Sequence, residues 1–273
     1  MNTPHGEPLF CSTAGVEIGS GDFTAALQAL GVRSGNTLFV HANIAAFGKL
    51  IMYDRNTVLQ TMLDVFTTAL GKEGTLIMPT FTYSFCNKEP FDVLRSKSTV
   101  GSLTEFFRTR PDVVRTKHPI FSVALWGKNA QEFSHVGKDS FDEHSIFAHL
   151  HAARGMIVFL GVPFWTTFIH HIEELHGIPY RFIKQFHGTI IDGPTSYEDS
   201  CTYFVRPLDG DVETNLSRLE ARLRERGSLR EVSIGDGSII VVDTVDMFDQ
   251  GMHLLDEDIY SFLSHPPKAA NAV

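Results

Sequence analysis

Eleven residues near the middle of the chain, Thr166-Thr167-Phe168-Ile169-His170-His171-Ile172-Glu173-Glu174-Leu175-His176, bring together three imidazoles and two carboxylates. An imidazole titrates near neutrality, so beside a carboxylate it is suited to take and return protons. On a helix, His170, Glu173 and Glu174 lie three and four residues apart and share a face, while His171 is turned away by about 100°. Three readings of that face stay open. His170 acts as a general base whose tautomer a carboxylate one turn on holds; or His170, Glu174 and His176 bind a metal, as in a metal-dependent hydrolase; or the face is polar and does no chemistry. The zinc helix signature places histidines at i and i+4. Glu174 follows His170 at that spacing and Leu175 follows His171, so the signature is not met.

The elements needed to position this stretch are legible around it. Met156 to Gly161 is an apolar run bounded by glycines and reads as a buried strand. Open α/β sheets collect ligands beyond the carboxyl ends of their strands. A helix opening after Gly161, capped by Thr166 or Thr167 and ended by Gly177 and Pro179, has its first turn at that crevice.

Further strands are expected at Thr37–His41, Thr75–Phe81 (Pro79 marking its end), Ile120–Trp126 and Ile239–Val242, with short ones at 189–191 and 201–205 joined by a polar loop. Helices are expected from Ser20 or Asp22 to Leu30 and over Asp54–Leu70, whose apolar residues form one broad face. Others fall at Ser102–Arg110, near 128–134 and 145–153, at Asn215–Arg226, and as two pieces over 244–264. This alternation predicts one α/β domain over 21–265 with a mixed central sheet flanked by helices. Residues 1–20 read as a loosely held arm and 266–273 as a tail.

With 273 residues, 43% of them apolar and 22 of them Phe, the chain can fill a large core. A net charge of −9 argues against a nucleic-acid partner. No apolar run approaches the roughly 18 residues of a membrane span, and the first residues lack a secretory signal. Three widely spaced cysteines, Cys11, Cys86 and Cys201, signal neither a disulfide framework nor a zinc knuckle, so a reducing, cytoplasmic setting is expected.

Other stretches carry weaker signals. His41 ends its strand before a small-residue loop to Gly48 that can present backbone N–H groups to a phosphate or simply turn the chain. No dinucleotide fingerprint or P-loop is present. Ser102-x-x-Glu105 has the spacing of a capping box. His118-Pro119 reads as a fixed turn ahead of a strand holding Ser122. Arg181 and Lys184 follow the His/Glu stretch and can meet anionic groups or lie in solvent.

Taken together, several segments resemble one family, the aminoglycoside 3-N-acetyltransferases and related antibiotic N-acetyltransferases. Val40-His41-Ala-Asn-Ile-Ala-Ala-Phe-Gly48 resembles the family's Val-His-Ser-Ser-Leu-Ser-Ala-(aliphatic)-Gly loop. Gly74-Thr-Leu-Ile-Met-Pro-Thr-Phe-Thr82 is similar to its second strand. Thr99-Val-Gly-Ser-Leu-Thr-Glu105-Phe-Phe-Arg108, and Arg115-Thr-Lys-His118-Pro119 with Ser122, are similar to its Gly-x-x-x-Glu-x-x-Arg and Arg-Ser-x-His-Pro-x-x-Ser pieces. Thr167-Phe-Ile-His170-His-Ile-Glu173 resembles its Thr-Ser-Leu-His-Leu-Ala-Glu segment. The resemblance runs in order from about residue 20 to 265.

It implies acetyl transfer from acetyl-coenzyme A to an amine, without a metal. His170 is then the base, Glu173 orients it, and Glu105 supports the site from across the cleft. His41, Ala42, Asn43, Ile44, His118 and Ser122 are expected along the coenzyme A channel. Asp92, Glu174, Arg181 and Arg206 are expected at the acceptor, with Asp142 and Glu143 nearby. Ala42-Asn43 replaces the family's Ser-Ser pair, so hydroxyl contacts are lost there or supplied by Asn43. The acceptor is expected to be an amino sugar, within an aminoglycoside or on a polysaccharide precursor. A non-catalytic coenzyme A-binding protein is the remaining alternative, and a homodimer is left open.

Overall fold

The computed structural model describes residues 6–51, 54–208 and 212–268. Its first elements are β1 (Pro8–Cys11), β2 (Glu17–Gly19), α1 (Ser20–Ala29), β3 (Thr37–Ala42), a 3₁₀ turn at Ile44–Phe47, β4 (Lys49–Leu50) and α2 (Arg55–Leu70). Next come β5 (Thr75–Pro79), β6 (Phe91–Asp92), α3 (Ser102–Arg108), β7 (Val114–Arg115), β8 (Val123–Gly127) and α4 (Ala130–Phe133). α5 (Ile146–Ala152), β9 (Met156–Leu160) and α6 (Ile169–His176) lead into β10 (Phe182–Asp192) and β11 (Thr195–Val205). The last are α7 (Ser217–Glu225), β12 (Leu229–Ile234), β13 (Gly237–Asp243) and α8 (Thr244–Glu257).

The central sheet has seven strands in the order β12-β13-β9-β3-β5-β8-β7. β3 pairs parallel with β5 and β9, and the remaining neighbours are antiparallel. This is the mixed α/β sheet that the alternation of elements predicts. Successive side chains on a strand point to opposite faces, and the strands divide their apolar residues accordingly. Leu38, Val40, Leu76, Met78, Val158 and Leu160 join one core, packed with residues of α1 and α2. Phe39, Ile77, Ile157 and Phe159 join the other, with residues of α5, α6 and α8. Both faces are covered, which is why these strands read as continuous apolar runs.

The chain leaves β3 for β5 on one side and reaches β9 on the other, so the strand order reverses beside β3. Crevices form at such reversals, beyond the carboxyl ends. The loop there is held tightly. Gly161 has φ +64°, and a Cβ on it would stand 2.4 Å from the Asn43 carbonyl oxygen, so only glycine fits.

Several expectations are met closely. Asp54 caps α2 by accepting from the Asn56 and Thr57 N–H groups, Gly71 ends it in the left-handed region, and Pro79 closes β5. Others are corrected. Residues 8–11 and 17–19 are not a loose arm: they pair as strands, and Leu9, Phe10 and Ile18 are buried in the core. The expected short strands at 189–191 and 201–205 are one hairpin, β10–β11, closed by Gly193-Pro194. β12 was not foreseen, β8 begins only at Val123, and α8 is one helix to Glu257. Ser102 makes no cap, because α3 starts from Gly101 without a side-chain cap and Glu105 turns to Ser98 and Arg108. Residues 1–5 and 269–273, within the expected arm and tail, lie outside the described residues.

Candidate active site

The α6 helix sets the site. Thr166 Oγ1 accepts from the Phe168 N–H at 3.3 Å, ordering the turn that precedes the helix rather than capping it. Phe168, Ile169 and Ile172 are fully buried and pin the helix to the core. Gly177 ends it in the left-handed conformation, its N–H reaching the carbonyls of Glu173 and Glu174. With that stripe fixed, the face carrying His170 and Glu173 turns toward the strand ends.

His170 Nδ1 lies 2.6 Å from Glu173 Oε2, and the Glu173 side chain has no exposure at all. Tyr180 donates its hydroxyl to Glu173 Oε1 at 2.8 Å. Arg181 Nε stands 2.8 Å from Oε2, an ion pair by distance whose N–H is not aimed for a hydrogen bond. Burial pushes the Glu173 carboxyl up, but His170, Arg181 and Tyr180 together outweigh it and hold it below the usual range. A carboxylate can only accept, so Nδ1 carries the proton and Nε2 keeps its lone pair. Burial also holds the imidazole below its ordinary value, so it is neutral at neutral pH. The ring is 5% exposed and meets Phe141 edge-on at 5.3 Å.

His41 enters from β3. On the same face as Phe39, it stacks on Phe159 at 5.7 Å, and its Nε2 is 2.9 Å from Thr166 Oγ1. Burial pushes it down to about 4, so it too stays neutral. It thereby ties the end of β3 to the turn before α6. Asn43 is exposed, Ala42 is half-buried, and Ile44 is buried in the core instead of lining a channel.

The remaining expected site residues are placed differently. Ser122 has no exposure and donates to the Thr80 carbonyl, so it is not free to line a channel. His118 is buried, its Nδ1 accepting from the Ile120 and Phe121 N–H groups; it fixes the turn before β8. Glu105 accepts from the Ser98 N–H and pairs with Arg108, which in turn reaches the Leu94 carbonyl; it orders the 94–98 loop and does not touch His170. Asp92 Oδ1 accepts from Leu94 and Arg95 N–H groups, shaping the same loop. Arg181 is 6% exposed and turned inward, so an acceptor does not meet it. Arg206 is exposed beyond β11. His171, one position round the helix, donates from Nδ1 to the Phe141 carbonyl at 2.6 Å and is a structural tie.

The metal reading fails on geometry. His170 is committed to Glu173 and His176 pairs with Asp256 at 3.1 Å. Among the described residues no group of three or more candidate ligands converges.

Glu174 turns instead toward Asp139. Burial, then Asp139 and Asp142, push its carboxyl up to about 8. Its Oε2 is buried without a donor, a cost that protonation removes because the neutral acid can donate to Asp139. The folded group therefore holds its proton while the unfolded one releases it near 4.5. Stability attributable to this group is full below that lower value and falls as pH rises toward 8. Glu174→Gln is accordingly expected to gain stability over the native chain progressively between pH 5 and 8.5, read as Tm against pH. An offset equal at every pH overturns this.

Two tyrosines outside the motifs complete the surroundings. Tyr203 packs on Phe141 at 5.8 Å and on Phe121 at 4.9 Å, and Tyr83 meets Phe121 edge-on at 5.6 Å. Tyr83 has φ 55°, a strained backbone for an aromatic residue of the kind that gathers at functional sites. Their only sequence signal is position after strand ends or on the hairpin. A cavity of about 410 Å³ among Lys117, His118, Lys138, Tyr197 and Cys201 includes neither His170 nor Glu173.

Fold and dyad together define an α/β protein with a buried histidine–carboxylate pair beyond the ends of its parallel strands. Residues 39–256 match the family described as aminoglycoside 3-N-acetyltransferase, and the chain belongs to it. It is 31% identical over 182 residues to aminoglycoside N(3)-acetyltransferase III of Pseudomonas aeruginosa, covering 59% of this chain and 65% of that protein. It is 27% identical over 245 residues to aminoglycoside N(3)-acetyltransferase IV of Salmonella, covering 88% and 87%. The solved structure of AAC-IIIb in a binary complex with CoASH has the same fold, with a TM-score of 0.75 at 24% identity over 91% of this chain and 98% of that one.

Proposed function

We propose that the chain transfers an acetyl group from acetyl-coenzyme A to a primary amine of an amino sugar, with His170 as general base. The observation that carries this is the 2.6 Å contact of Nδ1 with buried Glu173, which leaves the Nε2 lone pair to receive a proton. The amine nitrogen forms its bond to the acetyl carbonyl carbon and gives its proton to Nε2. The carbon–sulfur bond then breaks and the thiolate leaves, to be protonated in turn. Glu173 stabilises the imidazolium in between. The exposed Asn43 and half-buried His41 and Ala42 face the coenzyme A thioester, from a loop that Gly161 keeps rigid.

The named relatives favour an aminoglycoside as the acceptor. A second reading has one observation behind it. On the hairpin, Lys184 sits over the Phe186 ring at 5.1 Å directly opposite Tyr203, and Arg206 follows. Such a wall suits an amino sugar bearing an anionic group, as on a nucleotide-linked polysaccharide precursor. One panel of both acceptor classes, read by free-thiol release from acetyl-coenzyme A, tests them. Aminoglycoside turnover that survives Arg206→Ala supports the first. Turnover confined to nucleotide-linked amino sugars and abolished by that change supports the second. Absence of thiol release with every amine overturns the proposal.

A further inference from the structure

The sequence places Arg181 at the acceptor or in solvent, and its burial removes it from both. Its side chain is 2% exposed, with the guanidinium within reach of Glu173 Oε2 at 2.8 Å and Thr214 Oγ1 at 3.3 Å. A buried cation is costly unless it is paired. Glu173 is its partner, and the same oxygen of Glu173 also receives the His170 proton. One carboxylate oxygen therefore serves two cations-in-waiting, the permanent guanidinium and the transient imidazolium.

We infer that Arg181, with Tyr180, is a positioning residue that sets how tightly the His170–Glu173 pair holds its second proton. Without Arg181, the resting pair is a net negative charge buried against the Phe141 ring. It would relieve that charge by keeping a proton, on either member. With Arg181 the resting state is neutral overall, and the protonated state carries a net positive charge that must be discharged. The guanidinium thus keeps the base empty at rest and pushes the proton off once it has been taken. The directions agree: Arg181 lowers the imidazole's hold on a proton, and with Tyr180 it keeps Glu173 ionised.

The groups facing the pair can be named element by element. Glu173 lies on α6 itself, and Tyr180 and Arg181 on the segment that follows it. From β11 comes Tyr203, whose phenol feels Arg181, Arg206 and Glu173. From the 139–142 segment only the Phe141 ring touches His170, while Asp139 and Asp142 act on Glu174. His41 of β3 is bound to Thr166. Arg181 is therefore the cation in direct contact with the pair.

The inference deepens the role proposed for His170, but its first test needs no activity. The imidazole of His170 is titrated by NMR in the free protein, native and as Arg181→Gln and Arg181→Lys. The Gln variant is expected to titrate at higher pH than the native chain, whichever member of the coupled pair holds the proton. The Lys variant, which keeps the charge, should stay near the native midpoint. In kinetics, Arg181→Gln should lose about tenfold or more of kcat/KM at pH 6 relative to its loss at pH 9, since one pH unit is a tenfold change in the free base. Tyr180→Phe removes a neutral donor to the same carboxylate and should move both readings the same way by less. It also serves if Arg181→Gln does not fold. An unmoved titration midpoint in both Arg181→Gln and Tyr180→Phe, or in Tyr180→Phe alone should the first not fold, overturns the inference. If the midpoint moves and no amine is acetylated, the inference stands and the proposed reaction falls.

Discussion

His170→Ala is expected to lower kcat by about 10²–10⁴-fold, the usual cost of removing a general base, and to leave KM for acetyl-coenzyme A unchanged. The geometry gives both halves of that expectation. Nε2 is the only nitrogen of the ring left to accept a proton, since Nδ1 is committed to Glu173. The loop proposed for the coenzyme lies at the end of β3 and is reached through Thr166, not through His170. The variant should also fold, because Glu173 keeps Tyr180 and Arg181 as partners. Steady-state kinetics on the folded variant checks this. A crippled His171→Ala beside a nearly normal His170→Ala would contradict it, because His171 faces away from Glu173, donating to the Phe141 carbonyl and packing against Phe168 and Phe248.

The second large effect is on stability. Glu173→Gln keeps the shape of the side chain and removes its charge, leaving the Arg181 guanidinium buried without a counter-ion. Breaking a buried pair in this way costs about 3–5 kcal/mol, to be read as a fall in the urea midpoint at constant slope. Turnover per folded molecule should fall less than in His170→Ala, since the imidazole remains. Its acid limb should move to lower pH, since an imidazole without an adjacent carboxylate holds a proton less well. A loss of stability below about 1 kcal/mol, the range of solvent-exposed pairs, would mean that water reaches the pair.

The chemistry of α6 was legible in the sequence because it is local. Helical spacing alone brings Glu173 to His170, turns His171 aside and lets Gly177 stop the helix, and all three are observed. The central strands were legible for a similar reason, being short apolar runs closed by glycine or proline. What escaped depends on distant contacts. Ser102-x-x-Glu105 has the spacing of a capping box, yet the carboxylate is drawn to the Ser98 N–H and Arg108. Arg181 looked like a solvent-facing cation beside an expected acceptor, and nothing in its neighbours announces that Glu173 lies within 2.8 Å. The hairpin was seen only as two fragments because its strands lack a clean alternation, much of both being exposed. Ser122 and His118 carry family motifs but act inside the fold, holding Thr80 and the turn before β8.

The hairpin's attachment has a consequence for how this chain can change its substrate. The proposed base, His170, and the charged and polar groups around it belong to α6 and the few residues after it. The wall proposed beside them belongs to the β10–β11 ribbon, which reaches His170 through edge-on rings, Tyr203 against Phe141 and Phe141 against the imidazole. Lys184 and Phe186 sit on that ribbon, with Lys184 opposite Tyr203 in register. Under the proposed function, selection can rewrite the ribbon's outward side chains, and with them the range of amines seated, while the His170–Glu173 pair is inherited intact. On that reading acceptor drift and catalytic competence are separable traits, and the Phe141 ring lies between the two sets of residues.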